Sequence, residues 1–233
     1  MRDYKLDKEL ILIDLETSGT NPNEDSILQI GAVRVQRNGE IDYNDVFDVY
    51  IKEYKHTWSK EAEKIHGIKR GFLRDMGVPL ETALKDFNTW AGNLKEKDPV
   101  SKSSMKELHN NVYLAQWGAN FDAPFLQQAY KFAEMQYPFT YRVFDVASFV
   151  RLYFISNGGM GNKMSLFHCA ERLSIPTERG SLHNGAYDAK LSAEVFKAVV
   201  EEVQIVGVID DETEKLGEGF KNELSEKYYS TRG

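Results

Sequence analysis

A chain of 233 residues, 42% hydrophobic and with a formal net charge of −7, is long enough for one large domain, alone or with an appendage, and its core needs no covalent staples. The acidic balance argues against a protein that coats nucleic acid through bulk electrostatics, but leaves open one that binds through metal ions in a small cleft. Cys169 stands alone, so no internal disulfide forms; the start, Met1 to Glu9, is too polar for a signal peptide; and no apolar run is long enough for a membrane span. A reducing cytoplasm is the expected location.

The first element is the run Leu10-Ile11-Leu12-Ile13, apolar on both alternating faces, which predicts a central strand covered on both sides. It ends in Asp14-Leu15-Glu16-Thr17. Side chains two apart on a strand share a face, so Asp14 and Glu16 emerge side by side just past the core. Held together, two like charges call for a raised pKa or a bound cation. An isolated Asp-x-Glu reads as two solvated carboxylates, so partners decide the matter.

Ser18 to Ser26 is a loop by composition, and Ile27–Val35 and Val46–Ile51 read as two further strands. Asn38-Gly39 between them predicts a type I′ hairpin and a three-strand antiparallel meander. Ser59 to His66 predicts a short helix capped by Ser59, and Pro79 to Leu94 a helix burying Leu80, Ala83, Leu84, Phe87 and Ala91. Glu96 to Asn111 reads as a polar connection into a short strand, Val112 to Gln116. Next comes a helix with Asp122 as N-cap, Pro124 in its first turn and Phe125, Leu126, Ala129 and Ala133 on one face. Capping and function have equal claims on Asp122. For Asp145, ahead of Val146 to Phe154, a cap is preferred.

Ser156 to Asn162 reads as a glycine-rich loop, Ser165 to Leu173 as a short helix, and Pro176 to Gly185 as a second loop. A helix from Tyr187 to Val203 then places Asp188 on the same face as Leu191, Val195 and Val199. A lone buried carboxylate costs roughly several kcal/mol, so Asp188 is expected to be paired or to coordinate a metal. His183 precedes it on a loop with Gly180 and Gly185, and is expected to swing in only with substrate. Residues 1–205 form the expected main domain and 206–233 an acidic helix or tail.

Asp14, Glu16, Asp122 and Asp188 are thus four carboxylates, each at the end of an apolar element, with a histidine beside the last. Hard oxygen ligands suit Mg2+ or Mn2+. A cluster of this size holds two such ions, roughly 3.5–4 Å apart, the arrangement that activates the attacking oxygen and stabilises the leaving one in phosphodiester cleavage. A nearby histidine can take the proton from water.

Three blocks, Ile13-Asp14-Leu15-Glu16-Thr17-Ser18-Gly19, Asn120-Phe121-Asp122-Ala123-Pro124-Phe125-Leu126 and His183-Asn184-Gly185-Ala186-Tyr187-Asp188-Ala189, resemble the motifs of the DEDDh exonuclease family, which includes proofreading exonucleases, ribonuclease T and oligoribonuclease. Gln29-Ile30-Gly31-Ala32-Val33 and His66-Gly67-Ile68 resemble further family segments, and the likeness runs from about Ile11 to Val200. It implies an α/β, ribonuclease-H-like fold and 3′-to-5′ exonuclease activity that releases nucleoside 5′-monophosphates. By position, Asp14, Glu16, Asp122 and Asp188 would hold two metal ions, His183 would be the general base, and Leu15, Thr17 and His66 would line the pocket for the terminal nucleotide. The chain departs from the family in having Trp117-Gly118 for His-Asn and Gln29 for Glu, which bears on substrate contacts and packing more than on catalysis.

A core place is preferred for Trp117 over base stacking, and a solvated surface for the basic clusters Lys52, Lys55, His56, Lys60 and Lys69, Arg70, Arg74. The leading expectation is an exonuclease on single-stranded 3′ ends, with DNA narrowly ahead of RNA. A proofreading or binding subunit of a polymerase is the reading from another class. A catalytically silent platform comes last, and a homodimer is left open.

Overall fold

The computed structural model describes residues 6–94, 97–118, 121–159, 161 and 163–207, with side chains described as far as 203. The chain divides into a unit of residues 3–199, which carries the whole sheet, and a second of residues 1–2 and 200–233. Of the expected acidic helix or tail, residues 206–233, the first two continue α8 and the rest lie outside the described residues.

Five strands, β1 (Glu9–Thr17), β2 (Ile27–Val35), β3 (Ile41–Tyr50), β4 (Val112–Gln116) and β5 (Phe144–Asp145), form one sheet in the order β3-β2-β1-β4-β5. The apolar run does form the central strand. The first three strands pair antiparallel as the expected meander, while β1, β4 and β5 pair in parallel. Helices α1 (Lys60–His66), α2 (Arg70–Met76), α3 (Leu80–Ala91) and α4 (Lys102–Asn111) lie between β3 and β4. Helix α5 (Asp122–Phe132) joins β4 to β5, and α6 (Val146–Ser156), α7 (Leu166–Arg172), a 3-10 turn (Arg179–Ser181) and α8 (Gly185–Gly207) complete the order.

On β1 the odd residues Ile11, Ile13 and Leu15 enter a core with the buried faces of α3 (Leu80, Ala83, Leu84, Phe87, Ala91) and α5 (Phe125, Leu126, Ala129), as the periodicity predicts. The even residues Leu10 and Leu12 are buried too. Both faces being covered explains why β1 shows no polar alternation.

Several expectations need correction. The β2–β3 turn is a three-residue loop: Gln36 N donates to Glu40 O, Gly39 N donates to Gln36 O, and Gly39 alone takes positive φ, 84°, where a type I′ turn would need it at Asn38 as well. β3 also starts earlier, at Ile41. The polar connection before β4 contains α4, capped by Ser101 and burying Met105 and Leu108, an apolar stripe too narrow to stand out in sequence. Helix α2 buries only Leu73 and gave no periodic signal. Asp122 is the first helical residue of α5 and not its cap, a place taken by Phe121. Asp145 does cap α6, accepting from Ser148 N.

Candidate active site

Strand β1 delivers Asp14 and Glu16 two residues apart on one face. Asp122 arrives on the first turn of α5, and its Oδ1 accepts the Leu15 backbone N–H at 3.0 Å, tying the helix start to the strand between the two β1 carboxylates. Asp188 sits in the first turn of α8, where its Oδ2 accepts from His183 N at 2.9 Å, and Asn184 Oδ1 accepts from Tyr187 N. One oxygen from each of Asp14, Glu16 and Asp188 lies within 4.8 Å of the others. Asp122 stands beside this trio, near enough for its charge to raise both Asp14 and Glu16.

Burial is the main cause of every shift in the cluster, with mutual repulsion next for the β1 pair. Asp14 is held well above the ordinary carboxylate range by burial, then by the charges of Asp122, Asp188 and Glu16. Glu16, 8% exposed, is pushed up to about 8 by burial and by Asp188 and Asp122. Burial takes Asp122 to about 7 against the pull of the Leu15 hydrogen bond, and raises Asp188 against its bond from His183. Carboxylates so placed are poised for a cation. The donor set fits one: Asp188 Oδ1 is buried with no hydrogen-bond partner, and the atoms on offer are hard oxygens.

His183 has an exposed side chain on a left-handed backbone, φ 63°, pinned through its N–H to Asp188. Gly185 is not the hinge that its composition suggests. A Cβ on it would lie 2.8 Å from Asp14 O, and one on Gly31 would lie 1.9 Å from Gly185 C, so these glycines let α8 meet β1 and β2 backbone to backbone. His66, the last residue of α1, accepts the Ile68 N–H at Nδ1, which leaves the proton of the neutral ring on Nε2. That Nε2 is buried beside the Thr17 backbone, with no well-formed hydrogen bond. Burial lowers the His66 pKa, while Glu63 and the Thr17 backbone act in the other direction. Thr17 Oγ1 donates to Gly19 O at 2.6 Å, and the Leu15 side chain packs in the core.

Trp117 is half-buried, short of the core place expected for it. Lys69, Arg70 and Arg74 pair with Glu63, Glu53 and Asp75, as a solvated charged surface would. Two roles were missed by sequence reasoning. Gln29, noted only as a departure from the family's Glu, and Gln116 are both 0% exposed and hydrogen-bonded to the starts of α8 and α5; the signal for that bond was no more than a polar side chain in a buried strand.

A mixed sheet of this order, with carboxylates gathered where β1 meets the starts of two helices, defines a nuclease of the ribonuclease-H-like class. The family model described as "Exonuclease" matches residues 11–196. Ribonuclease T of Buchnera aphidicola is 25% identical over 207 residues, covering 84% of this chain and 86% of that protein. Among solved structures, cell-death related nuclease 4 superposes with TM-score 0.67 at 15% identity over 84% of this chain and 64% of that one. Escherichia coli exonuclease I in complex with a dT13 oligonucleotide gives 0.64 at 17% identity over 82% of this chain. The chain spans 41% of the length of that exonuclease I chain. The chain belongs to the DEDDh-type exonuclease family and is a 3′-to-5′ exonuclease.

Proposed function

We propose that the chain removes nucleotides from the 3′ end of single-stranded nucleic acid, releasing nucleoside 5′-monophosphates, with Asp14, Glu16, Asp122 and Asp188 holding two divalent cations, Mg2+ or Mn2+. The observation that carries this reading is the cluster of three carboxylate oxygens within 4.8 Å, one carboxylate having a second oxygen buried and unpartnered. Cations bound there supply charge to the scissile phosphate and acidity to the attacking water.

The protein's own groups do the rest. The exposed His183 imidazole accepts the proton of the attacking water, and its backbone bond to Asp188 keeps it at the edge of the cluster. The water oxygen bonds to phosphorus as the bond from phosphorus to the 3′ oxygen of the preceding nucleotide breaks. That oxygen takes up a proton, and the phosphate leaves on the 5′ carbon of the released nucleotide. His66, Thr17 and Leu15 take their place around the terminal nucleotide from the family resemblance, His66 with its buried Nε2 beside the Thr17 backbone and Leu15 with its side chain in the core.

DNA is the first reading for the sugar, in line with the oligonucleotide bound by the exonuclease I neighbour. The ribonuclease T relative favours RNA as the second. The test is a single-stranded DNA and an RNA of one sequence, each labelled on the terminal nucleotide. Release of label as the 5′-monophosphate, faster from DNA, is expected; faster release from RNA reverses the sugar, and a labelled 3′-phosphate product overturns the mechanism.

A further inference from the structure

Two buried glutamines occupy equivalent places. Gln29 lies opposite Glu16 in the β1–β2 register, and its Oε1 accepts the N–H of Gly185, the first residue of α8, at 3.1 Å. Gln116 ends β4, and its Oε1 accepts the N–H of Ala123, in the first turn of α5, at 2.8 Å. In each case the amide nitrogen is committed elsewhere, Gln29 Nε2 donating to Asp48 Oδ1 at 2.7 Å and Gln116 Nε2 to Gly118 O. The second partner fixes which end of the amide faces the helix.

These helix starts carry the two cluster carboxylates that do not come from β1. Asp188 lies three residues beyond Gly185, and Asp122 is the neighbour of Ala123. A first-turn N–H has no partner inside its own helix, so an acceptor projected from the sheet fixes where the helix begins. Gly31 and Gly185 permit the close approach, and Gln29 sets its register. On the other side, Gln116 bonds both Gly118 O and the N–H of Ala123, the residue after Asp122.

We propose that Gln29 and Gln116 are positioning residues, each holding from the sheet the helix start that carries one helix-borne carboxylate of the cluster, so that together they set the spacing of Asp188 and Asp122 from Asp14 and Glu16. The inference rests on the functional reading above and deepens it. Residues behind metal ligands affect metal affinity or activity by roughly 10–100-fold when removed, and that range is expected here.

The test uses the full chain with Gln29→Leu, Gln116→Leu and the exchange variant Gln29→Glu with Asp48→Asn, which reverses donor and acceptor between residues 29 and 48 while keeping an acceptor for Gly185 N–H. Asn88→Leu serves as a control, since Asn88 is 0% exposed on α3 and its bond is to Tyr130, eight residues along α5 from Asp122. Melting temperature is followed as Mn2+ is added, and kcat and KM are measured on a single-stranded oligonucleotide. Both leucine variants should need about tenfold or more Mn2+ for half of the thermal shift and lose kcat by a similar factor with KM little changed. The exchange variant should regain most of this, and the control should melt earlier without moving the Mn2+ midpoint.

Leucine variants that keep the wild-type midpoint and kcat, or behave as the control does, overturn the inference. So does an exchange variant no better than Gln29→Leu. A wild-type protein whose melting ignores Mn2+ contradicts the functional reading itself; a wild-type that responds, with leucine variants that respond at the same Mn2+ midpoint, contradicts only this inference.

Discussion

Repulsion and burial act on the same few carboxylates, so single substitutions there are diagnostic. Asp188→Asn keeps the shape and the acceptor for His183 N–H but removes a charge and an anionic oxygen from the trio. Turnover is expected to fall by about a thousandfold, on the scale of a lost electrostatic stabiliser of the transition state, while melting temperature in chelator rises because one repulsive charge is gone. His183→Ala should cost roughly 10²–10⁴ in kcat, as loss of a general base does, with folding intact because the imidazole is exposed. The cluster also sets a pH dependence. Glu16 sits near 8, Asp122 near 7, and Asp14 and Asp188 are raised as well, so the folded chain holds protons that the unfolded chain has released. Stability from this source is present below the ordinary carboxylate pKa and is lost as pH rises towards 8. Melting temperature in chelator should therefore fall between pH 5 and pH 8, and Mg2+ should remove most of the fall; a flat profile in chelator would contradict the repulsive cluster.

At the scale of elements, the site depends on where two helices begin, and glycine settles one of them. A methyl group at residue 31 would sit 1.9 Å from the Gly185 carbonyl carbon, backbone that cannot step aside unless α8 moves. Gly31→Ala should destabilise by about 1–3 kcal/mol in chemical denaturation, as overpacking does, and reduce activity beyond what the lost stability explains. Elements with strong periodicity were legible in sequence: β1 through its apolar run, α3 and α5 through their buried stripes, and Asp145 as a cap. The carboxylates were legible because each ends such an element, and the family motifs supplied their roles. What could not be read was held by long-range contact. Asp122 looked like a cap because a first-turn aspartate and a capping one have the same local sequence, and only the distant Leu15 N–H distinguishes them. Gln29 and Gln116 carry no local mark of the helix starts they hold, 156 and 7 residues away. Helices α2 and α4 bury too few apolar side chains to show a period.

For the whole molecule, charge shapes how substrate is met. The net charge is −7, and Lys69, Arg70 and Arg74 are each paired with a carboxylate, so this cluster offers little free charge to a phosphate backbone. Oligonucleotide affinity in chelator should be weak, and its logarithm should fall with the logarithm of salt with a slope below about 2, corresponding to two or three phosphate contacts. A steep slope would reveal a basic track elsewhere. Among the described residues, no helix is long and apolar enough to cross a membrane. We propose that residues 1–205 carry the whole activity, in keeping with the family match to residues 11–196. A chain ended at Gly207, where the last described helix closes, should then retain the full-length kcat. The most direct test of the carboxylate cluster as the catalytic centre is a time course on 5′-labelled single-stranded DNA with Mg2+ or with chelator, for the wild type and Asp14→Asn. A ladder shortening from the 3′ end, seen only with the wild type and Mg2+, is the predicted result; cleavage that persists in chelator or in Asp14→Asn would contradict that assignment.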